Sequence, residues 1–204
     1  MKIYESRQAP NPRRVRIFLA EKQIDMTYVQ LDLAAGENLT PEMRKKNPTT
    51  KIPFLELDDG TFIGETVAIC RYFEEIQPEP PLFGRTPLEK AQVEMWARRV
   101  EFHMMMPVGM CFQHTTGYFK DRMTPVPSWG EVCGDNAKQY LIELNDHLAS
   151  NPYLVDNYFS IADINLFCAI DFAKVINIRI DKDESFPHLL RWYKNMKQRP
   201  SVSV

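Results

Sequence analysis

No stretch of this 204-residue chain is apolar for the roughly 20 residues that a membrane-spanning helix needs. Its opening, Met1-Lys2-Ile3-Tyr4-Glu5-Ser6-Arg7, has no apolar run of the secretory kind. The expected setting is therefore soluble and cytoplasmic, without a membrane partner. Excess charge of one sign is also missing. The formal net charge is −2, so no broad basic face is implied and nucleic acid is not an expected partner. Cysteine is sparse: Cys70, Cys111, Cys133 and Cys168 form no Cys-x-x-Cys pair. None has metal-site spacing with His103, His114, His147 or His188, so no metal site and no disulfide framework are expected. Internal repeats and low-complexity tracts are absent too. What remains is an ordinary globular composition, 44% hydrophobic and 25% charged, long enough for one large domain or two small ones.

The first 76 residues alternate in type. Residues 1–6 read as a strand that Pro10-Asn11-Pro12 interrupts. Arg13 to Lys22 carries Val15, Phe18 and Leu19 on one helical face. Thr27, Val29, Leu31 and Leu33 alternate with polar neighbours, which is a strand pattern. Thr40-Pro41-Glu42 starts a short helix that stops near Asn47-Pro48. Asp58-Asp59-Gly60 lies between the apolar segments 53–57 and 61–63, a hairpin signal. Beyond Glu65, Ile69, Tyr72, Phe73 and Ile76 recur at helical spacing. The order β-α-β-α-β-β-α predicts a thioredoxin-like layer of sheet and helices.

Gln77-Pro78-Glu79-Pro80-Pro81 cannot continue a helix and reads as a stiff linker. No strand pattern follows it. A long helix is expected over Glu89–Phe112 with a kink at Pro107. Further helices are expected over Trp129–Ala149, over the very apolar Ile161–Ile176 and over Phe186–Arg199. The expected division is an α/β thioredoxin-like domain over 1–77, a linker over 78–86 and an all-α domain over 87–204.

Three local motifs now gain meaning from their order. Asn47-Pro48 leads to Lys51-Ile52-Pro53; Glu65-Thr66 precedes Val67-Ala68-Ile69-Cys70-Arg71-Tyr72-Phe73; and Ser160-Ile161-Ala162-Asp163 opens the apolar helix. Together with the layout above, the whole chain resembles the cytosolic glutathione transferases. Ala9-Pro10-Asn11-Pro12-Arg13-Arg14-Val15-Arg16, Arg98-Arg99-Val100-Glu101 and Phe112-Gln113-His114-Thr115 are similar to its bacterial and fungal subgroup with an x-Pro-Asn start to the first helix.

The resemblance implies a cis Ile52–Pro53 bond, with the Ile52 main chain paired to the cysteinyl unit of glutathione as an added strand. Lys51 is then a candidate for the glycyl carboxylate, or simply a solvated lysine. Glu65 and Thr66 stand at a helix mouth, where a carboxylate holds an ammonium and the hydroxyl, N–H groups and dipole hold a carboxylate. Plain helix capping is the alternative for this pair. Ser160 and Asp163 read as a buried capping box rather than as a reactive pair.

Glutathione chemistry requires a thiolate, and a free thiol titrates near about 8.5. A helix N-terminus with donors aimed at sulfur lowers that value. Ala9 stands where Ser-type relatives carry a hydroxyl, which departs from the family pattern. Asn11 is the nearest polar side chain left, although Asn before Pro also suits a helix start; Ser6 is a second candidate donor. His114 is a third catalytic candidate, or a hydrogen-bonded residue at a helix end. His103, Met106, Met110 and Tyr118 are candidates for an apolar electrophile pocket, with helix packing as the alternative. The resemblance also implies a homodimer. The expected activity is conjugation of the glutathione thiolate to small apolar electrophiles, with glutathione as co-substrate. A glutathione-dependent disulfide or peroxide reductase and a non-catalytic carrier remain alternatives, the latter because Ala9 offers no donor.

Overall fold

The computed structural model describes residues 1–204 as two units, Met1–Leu82 with Pro200–Val204, and Phe83–Arg199. The first unit contains β1 (Lys2–Glu5), α1 (Pro10–Glu21), β2 (Thr27–Gln30), α2 (Pro41–Lys46), β3 (Phe54–Glu56), β4 (Phe62–Ile63) and α3 (Thr66–Ile76). The sheet order is β2-β1-β3-β4. β1 runs parallel to β2 and antiparallel to β3, and β4 is antiparallel to β3. This mixed sheet with helices matches the thioredoxin-like layer expected from the sequence.

Alternation in β1 explains the two faces. Ile3 is fully buried; α1 and α3 pack together and bury Val15, Phe18, Leu19, Ile69 and Phe73. Tyr4 belongs to a separate cluster with Leu31 and Phe54, covered by Val29, Met43 and Ile52. The Tyr4 and Phe54 rings stack at 4.4 Å. The Tyr4 hydroxyl donates to Glu56 at 2.6 Å, and Lys46 at the end of α2 reaches both groups, at 2.9 and 3.0 Å. The Tyr4 hydrogen bond, with the lysines, pulls the Glu56 carboxyl down to about 2.

α1 begins three residues before the predicted Arg13. Proline in the first helical turn forfeits no intrahelical bond, so Pro10 and Pro12 end the approach from β1 and lie within the start of this helix. The predicted strand over 27–33 ends at Gln30. The C-terminal residues also depart from the expected 87–204 helical domain. Arg13 Nη2 donates to the Val202 carbonyl at 3.3 Å and the Ser201 hydroxyl donates to Glu21, so Pro200–Val204 joins the first unit.

A buried lysine closes this unit. Lys22 is 1% exposed. Its Nζ pairs with Glu74 at 2.5 Å and donates to the carbonyls of Gln77 and Pro80 at 2.6 and 2.7 Å. The end of α1 is thereby tied to the end of α3 and to the proline-rich segment.

The second unit is helical: α4 (Pro87–Val100), α5 (Met106–Thr115), α6 (Pro127–His147), α7 (Ile161–Ala173) and α8 (Pro187–Lys197). The helical run expected over 89–112 forms and extends over 87–115, and the irregularity expected at Pro107 takes the form of a π-helical turn just before it. A π-helical turn over Glu101–Met105 separates α4 from α5, with the Met106 N–H bonded to the Glu101 carbonyl. Pro107 has no N–H to offer the preceding turn and its ring crowds that turn's carbonyl, and wider bonding accommodates both. α5 and α6 approach closely because Gly130 and Gly134 have no side chains. A Cβ on Gly130 would lie 2.7 Å from Thr115 Cγ2 and 2.9 Å from His114 Cβ.

α7 is the buried centre of this unit, from Ile161 to Ala173. Its start carries the capping box read from the sequence. Asp163 Oδ2 accepts from the Ser160 N–H at 3.1 Å and hydroxyl at 3.4 Å. Asp163 Oδ1 accepts from the Leu154 N–H and the Trp192 indole, both at 3.0 Å. Burial outweighs these donors and pushes the Asp163 carboxyl up to about 6.

Two predictions follow from these buried groups. Lys22→Met strands the Glu74 carboxylate in the interior and should cost about 3–5 kcal/mol in denaturant unfolding; a loss below about 1 kcal/mol would show the pair to be dispensable. For Asp163 the folded state holds the proton more tightly than the unfolded chain, whose ordinary value is 3.8. The resulting stabilisation is present below about 4 and is lost as pH rises through about 6. Wild type should therefore lose stability relative to Asp163→Asn over that window, and the opposite trend would contradict the assignment.

Candidate functional site

The sheet registers bring three segments to one end of the first unit. β1 and β4 both run antiparallel to β3, so both finish where β3 begins. Tyr4 pairs with Phe54 and Leu55 pairs with Ile63. Just beyond these pairs lie Ser6 after β1, Ile52 before β3 and Glu65-Thr66 after β4.

At the middle segment the Ile52–Pro53 bond is cis and Pro53 is buried. The loop before it is shaped by Asn47, which is 9% exposed. Asn47 Oδ1 accepts from the Thr49 hydroxyl at 2.9 Å, and its Nδ2 donates to the Lys51 carbonyl at 2.8 Å. Asn38 Nδ2 donates to the Thr50 carbonyl at 2.8 Å. These amides satisfy the loop's main-chain groups up to Lys51. Ile52 has no intrachain partner for its N–H or its C=O, while its half-buried side chain packs on the Tyr4–Phe54 cluster. An unpaired main chain beside a sheet is an acceptor for an extended peptide. The Lys51 side chain is exposed at the same loop.

Glu65 has φ 64° and ψ 122°, a conformation that L residues rarely adopt and that costs roughly 1–3 kcal/mol. It makes no side-chain cap on α3, and its carboxylate is exposed. Thr66 is buried, yet its hydroxyl takes no partner in the chain. The first N–H groups of α3 are likewise unsatisfied, so this 11-residue helix presents donors and a positive dipole end beside an exposed carboxylate. Such an arrangement can hold a group that carries both an ammonium and a carboxylate.

The β1–α1 turn is also uncapped. Ala9 makes no side-chain cap, and Pro10 and Pro12 have no N–H. The Asn11 N–H and the Ser6 hydroxyl have no intrachain partners. Asn11 Oδ1 accepts from Arg14 Nη1 at 3.0 Å, which turns the donating amide end of Asn11 away from that contact. Arg14 is 2% exposed. The turn thus offers donors but no acid or base.

The remaining sequence candidates lie in the second unit. His114 Nδ1 accepts the Val126 N–H at 2.9 Å and so anchors the entry to α6. His103 is exposed and leans on Tyr140 at 5.2 Å. Together with Trp96, Arg99 and Glu143 these two line a cavity of about 290 Å³. The Tyr140 hydroxyl is buried without a partner, and burial pushes it up to about 12. Met106, Met110 and Tyr118 are not at that cavity. Tyr118 instead joins an aromatic group with Phe112 and Phe119, and Met106 is 43% exposed. The sheet registers set Ser6, Ile52, Pro53, Glu65 and Thr66 at one end of the first unit, with Asn11 at the start of the helix that follows Ser6, and of the pocket candidates His103 alone lines the cavity beside Tyr140. Asn47, Asn38 and Arg14 escaped sequence reasoning. Asn47 reads as a helix stop at the head of the loop to Pro53, but nothing local tells that its amide folds back onto residue 51. No group of three or more His, Cys, Asp or Glu side chains is arranged to hold a metal ion, and the four cysteines are buried and form no disulfide.

Comparison with known proteins is consistent with this geometry. A family model for the glutathione S-transferase N-terminal domain matches residues 3–81, and one for the glutathione S-transferase C-terminal domain matches residues 132–200. Glutathione S-transferase 2 of Saccharomyces cerevisiae is 36% identical over 206 residues, covering 99% of this chain and 88% of that protein. The crystal structure of Gtt2 from Saccharomyces cerevisiae aligns with a TM-score of 0.94 at 36% identity, covering 100% of this chain and 99% of that one. Elongation factor 1-gamma of Prunus avium is 32% identical over 181 residues, but the match spans only 42% of that longer protein. Domain matches in both halves and near-full-length identity to a curated transferase agree with the sheet-end geometry: this chain belongs to the glutathione S-transferase family.

Proposed function

We propose that the chain binds glutathione at the sheet end and transfers its thiolate to small apolar electrophiles. The observation that carries this reading is the convergence of unpartnered groups there: the Ile52 peptide, the Thr66 hydroxyl with the α3 N-terminus, and the donors of the β1–α1 turn. In this reading the cysteinyl unit pairs with Ile52 as an added strand. The γ-glutamyl carboxylate sits on Thr66 and the helix dipole, and its ammonium meets Glu65. Lys51 meets the glycyl carboxylate. Asn11 and its N–H, with Ser6 in support, donate to sulfur at the start of α1 and favour the thiolate. The thiol proton leaves to water, the sulfur lone pair forms a C–S bond with the electrophile, and the leaving group departs with its bonding pair. His114, His103, Met106, Met110 and Tyr118 are the proposed contributors from the helical unit.

The same reading takes the chain to act in the cytoplasm as a homodimer, within the subgroup that starts its first helix with x-Pro-Asn. No helix is long and apolar enough to cross a membrane, which is compatible with that setting. A second reading, binding without catalysis, is favoured by Ala9, by the absence of an acid or base in the β1–α1 turn, and by the likeness to elongation factor 1-gamma. Glutathione-dependent reduction of disulfides or peroxides uses the same thiolate, and paired assays separate it from conjugation.

Calorimetry with glutathione, followed by conjugation and disulfide-reduction assays, tests these readings. Binding with conjugation is the expected result. Binding without either activity would favour the carrier, and no heat at millimolar glutathione would overturn the proposal. Thr66→Val keeps the packing but removes one hydrogen bond to a charged ligand, so affinity should fall about tenfold while the melting temperature holds. An unchanged Kd would remove Thr66 from the site. Asn11→Ala should lower the conjugation kcat by about 10-fold or more with little change in Kd; equal loss in both would point to a binding role only.

A further inference from the structure

The β1–α1 turn lacks a capping side chain, and Pro10 and Pro12 at the helix start have no N–H, so its one local main-chain tie is the Ala9 N–H bond to the Ser6 carbonyl at 3.0 Å. A closed ring of side chains also grips it. Arg16 is 7% exposed and Glu5 is 1% exposed. Arg16 Nη1 pairs with Glu5 Oε2 at 2.5 Å, and Arg16 Nη2 donates to the Arg7 carbonyl at 2.8 Å. Glu5 Oε1 accepts from Gln30 Nε2 at 2.7 Å, and Gln30 Oε1 in turn accepts the Arg7 N–H at 3.0 Å. Both main-chain groups of Arg7 are therefore held by one network, rooted in a buried ion pair and spanning β1, α1 and β2.

A buried ion pair is a costly way to stabilise a fold, since apolar residues of similar volume often do as well or better. This pair does something apolar residues cannot: Arg16 holds the Arg7 carbonyl directly, and Glu5 orients Gln30, whose Oε1 accepts the Arg7 N–H. The turn lies between Ser6 and Asn11, the groups read above as facing the glutathione sulfur. We propose that Glu5, Arg16 and Gln30 are positioning residues that fix the β1–α1 turn and thereby set the acidity of the bound thiol. This rests on the proposed glutathione site, and it assigns the tuning of the sulfur to a network that touches neither the sulfur nor the carboxylates. Affinity and reactivity are consequently separable: Glu65, Thr66 and Ile52 hold the peptide, and the ring holds the donors.

Gln30→Ala and Arg16→Lys test the assignment, with wild type in parallel. The readouts are the Kd for glutathione by calorimetry, the thiolate absorbance of bound glutathione against pH, and kcat for a chloronitroaromatic electrophile. Gln30 is a surface residue whose replacement leaves the ion pair intact, so it decides the matter even if Arg16→Lys fails to fold. The expected result is a bound-thiol pKa about one unit above that of wild type, hence about tenfold less thiolate at a pH below it, with Kd changed less than about twofold. Folded variants that bind glutathione with wild-type thiol acidity and kcat would overturn the inference while leaving the glutathione site standing. Wild type that binds glutathione without acidifying its thiol would also overturn it. Wild type that gives no heat with glutathione would overturn the underlying site and this inference together.

Discussion

Unpaired main chain at one end of the four-stranded sheet governs the functional half of this molecule. Every strand that finishes there leaves peptide groups that need partners. The protein supplies them selectively. Asn47 and Asn38 satisfy the loop before Ile52, and the Arg16–Glu5–Gln30 ring satisfies Arg7. Ile52 and the first turn of α3 receive nothing from the chain. In the proposed function, an extended peptide with charged ends is the ligand that completes what the fold leaves open.

Charged side chains buried elsewhere act as fasteners for irregular backbone. Lys22 joins α1 to α3 and to the segment after it. Asp163 gathers Leu154, Ser160 and Trp192 around the start of the central helix. In each case the polar group binds main-chain or indole donors and acceptors that regular secondary structure cannot reach. Hydrophobic burial drives both units, but it has no directional preference and does not set the path of a loop. These few polar contacts do.

Membership of the glutathione S-transferase family leaves the chemistry to individual side chains, since one fold carries different functions. The likeness extends both to a yeast transferase and to part of an elongation factor. In the proposed function, Ala9 at an uncapped helix start places the burden of thiol activation on Asn11, Ser6 and main-chain donors. On the positioning role proposed for Glu5, Arg16 and Gln30, that activation depends on how firmly the turn is held, which would tie a buried ion pair to reactivity.

The α/β layer, the helical half and the capping box at Ser160 and Asp163 were legible in the sequence, because each is written in residues close together along the chain: strand alternation, helical spacing, turn dipeptides and caps. Glu65 and Thr66 were legible for the same reason, since a helix mouth is a local feature. Proline marked the right places, at Pro10 and Pro107, but not the exact helix boundary or the form of the irregularity. Its effect depends on which carbonyls lie one turn back, and only the folded helix decides that. The Asn47 clamp, the Lys22 fastener and the ring around Arg7 were not legible at all. The partners of Lys22 and of the ring are separated in sequence by loops or whole elements, while Asn47 reaches only to residues 49 and 51 along a loop path that its own residue types do not specify. Sequence by itself determined which segments form and which apolar faces they bury. Tertiary structure alone decided which polar groups are satisfied and which stay open, because hydrogen bonds between distant segments exist only once the sheet registers have brought their ends together.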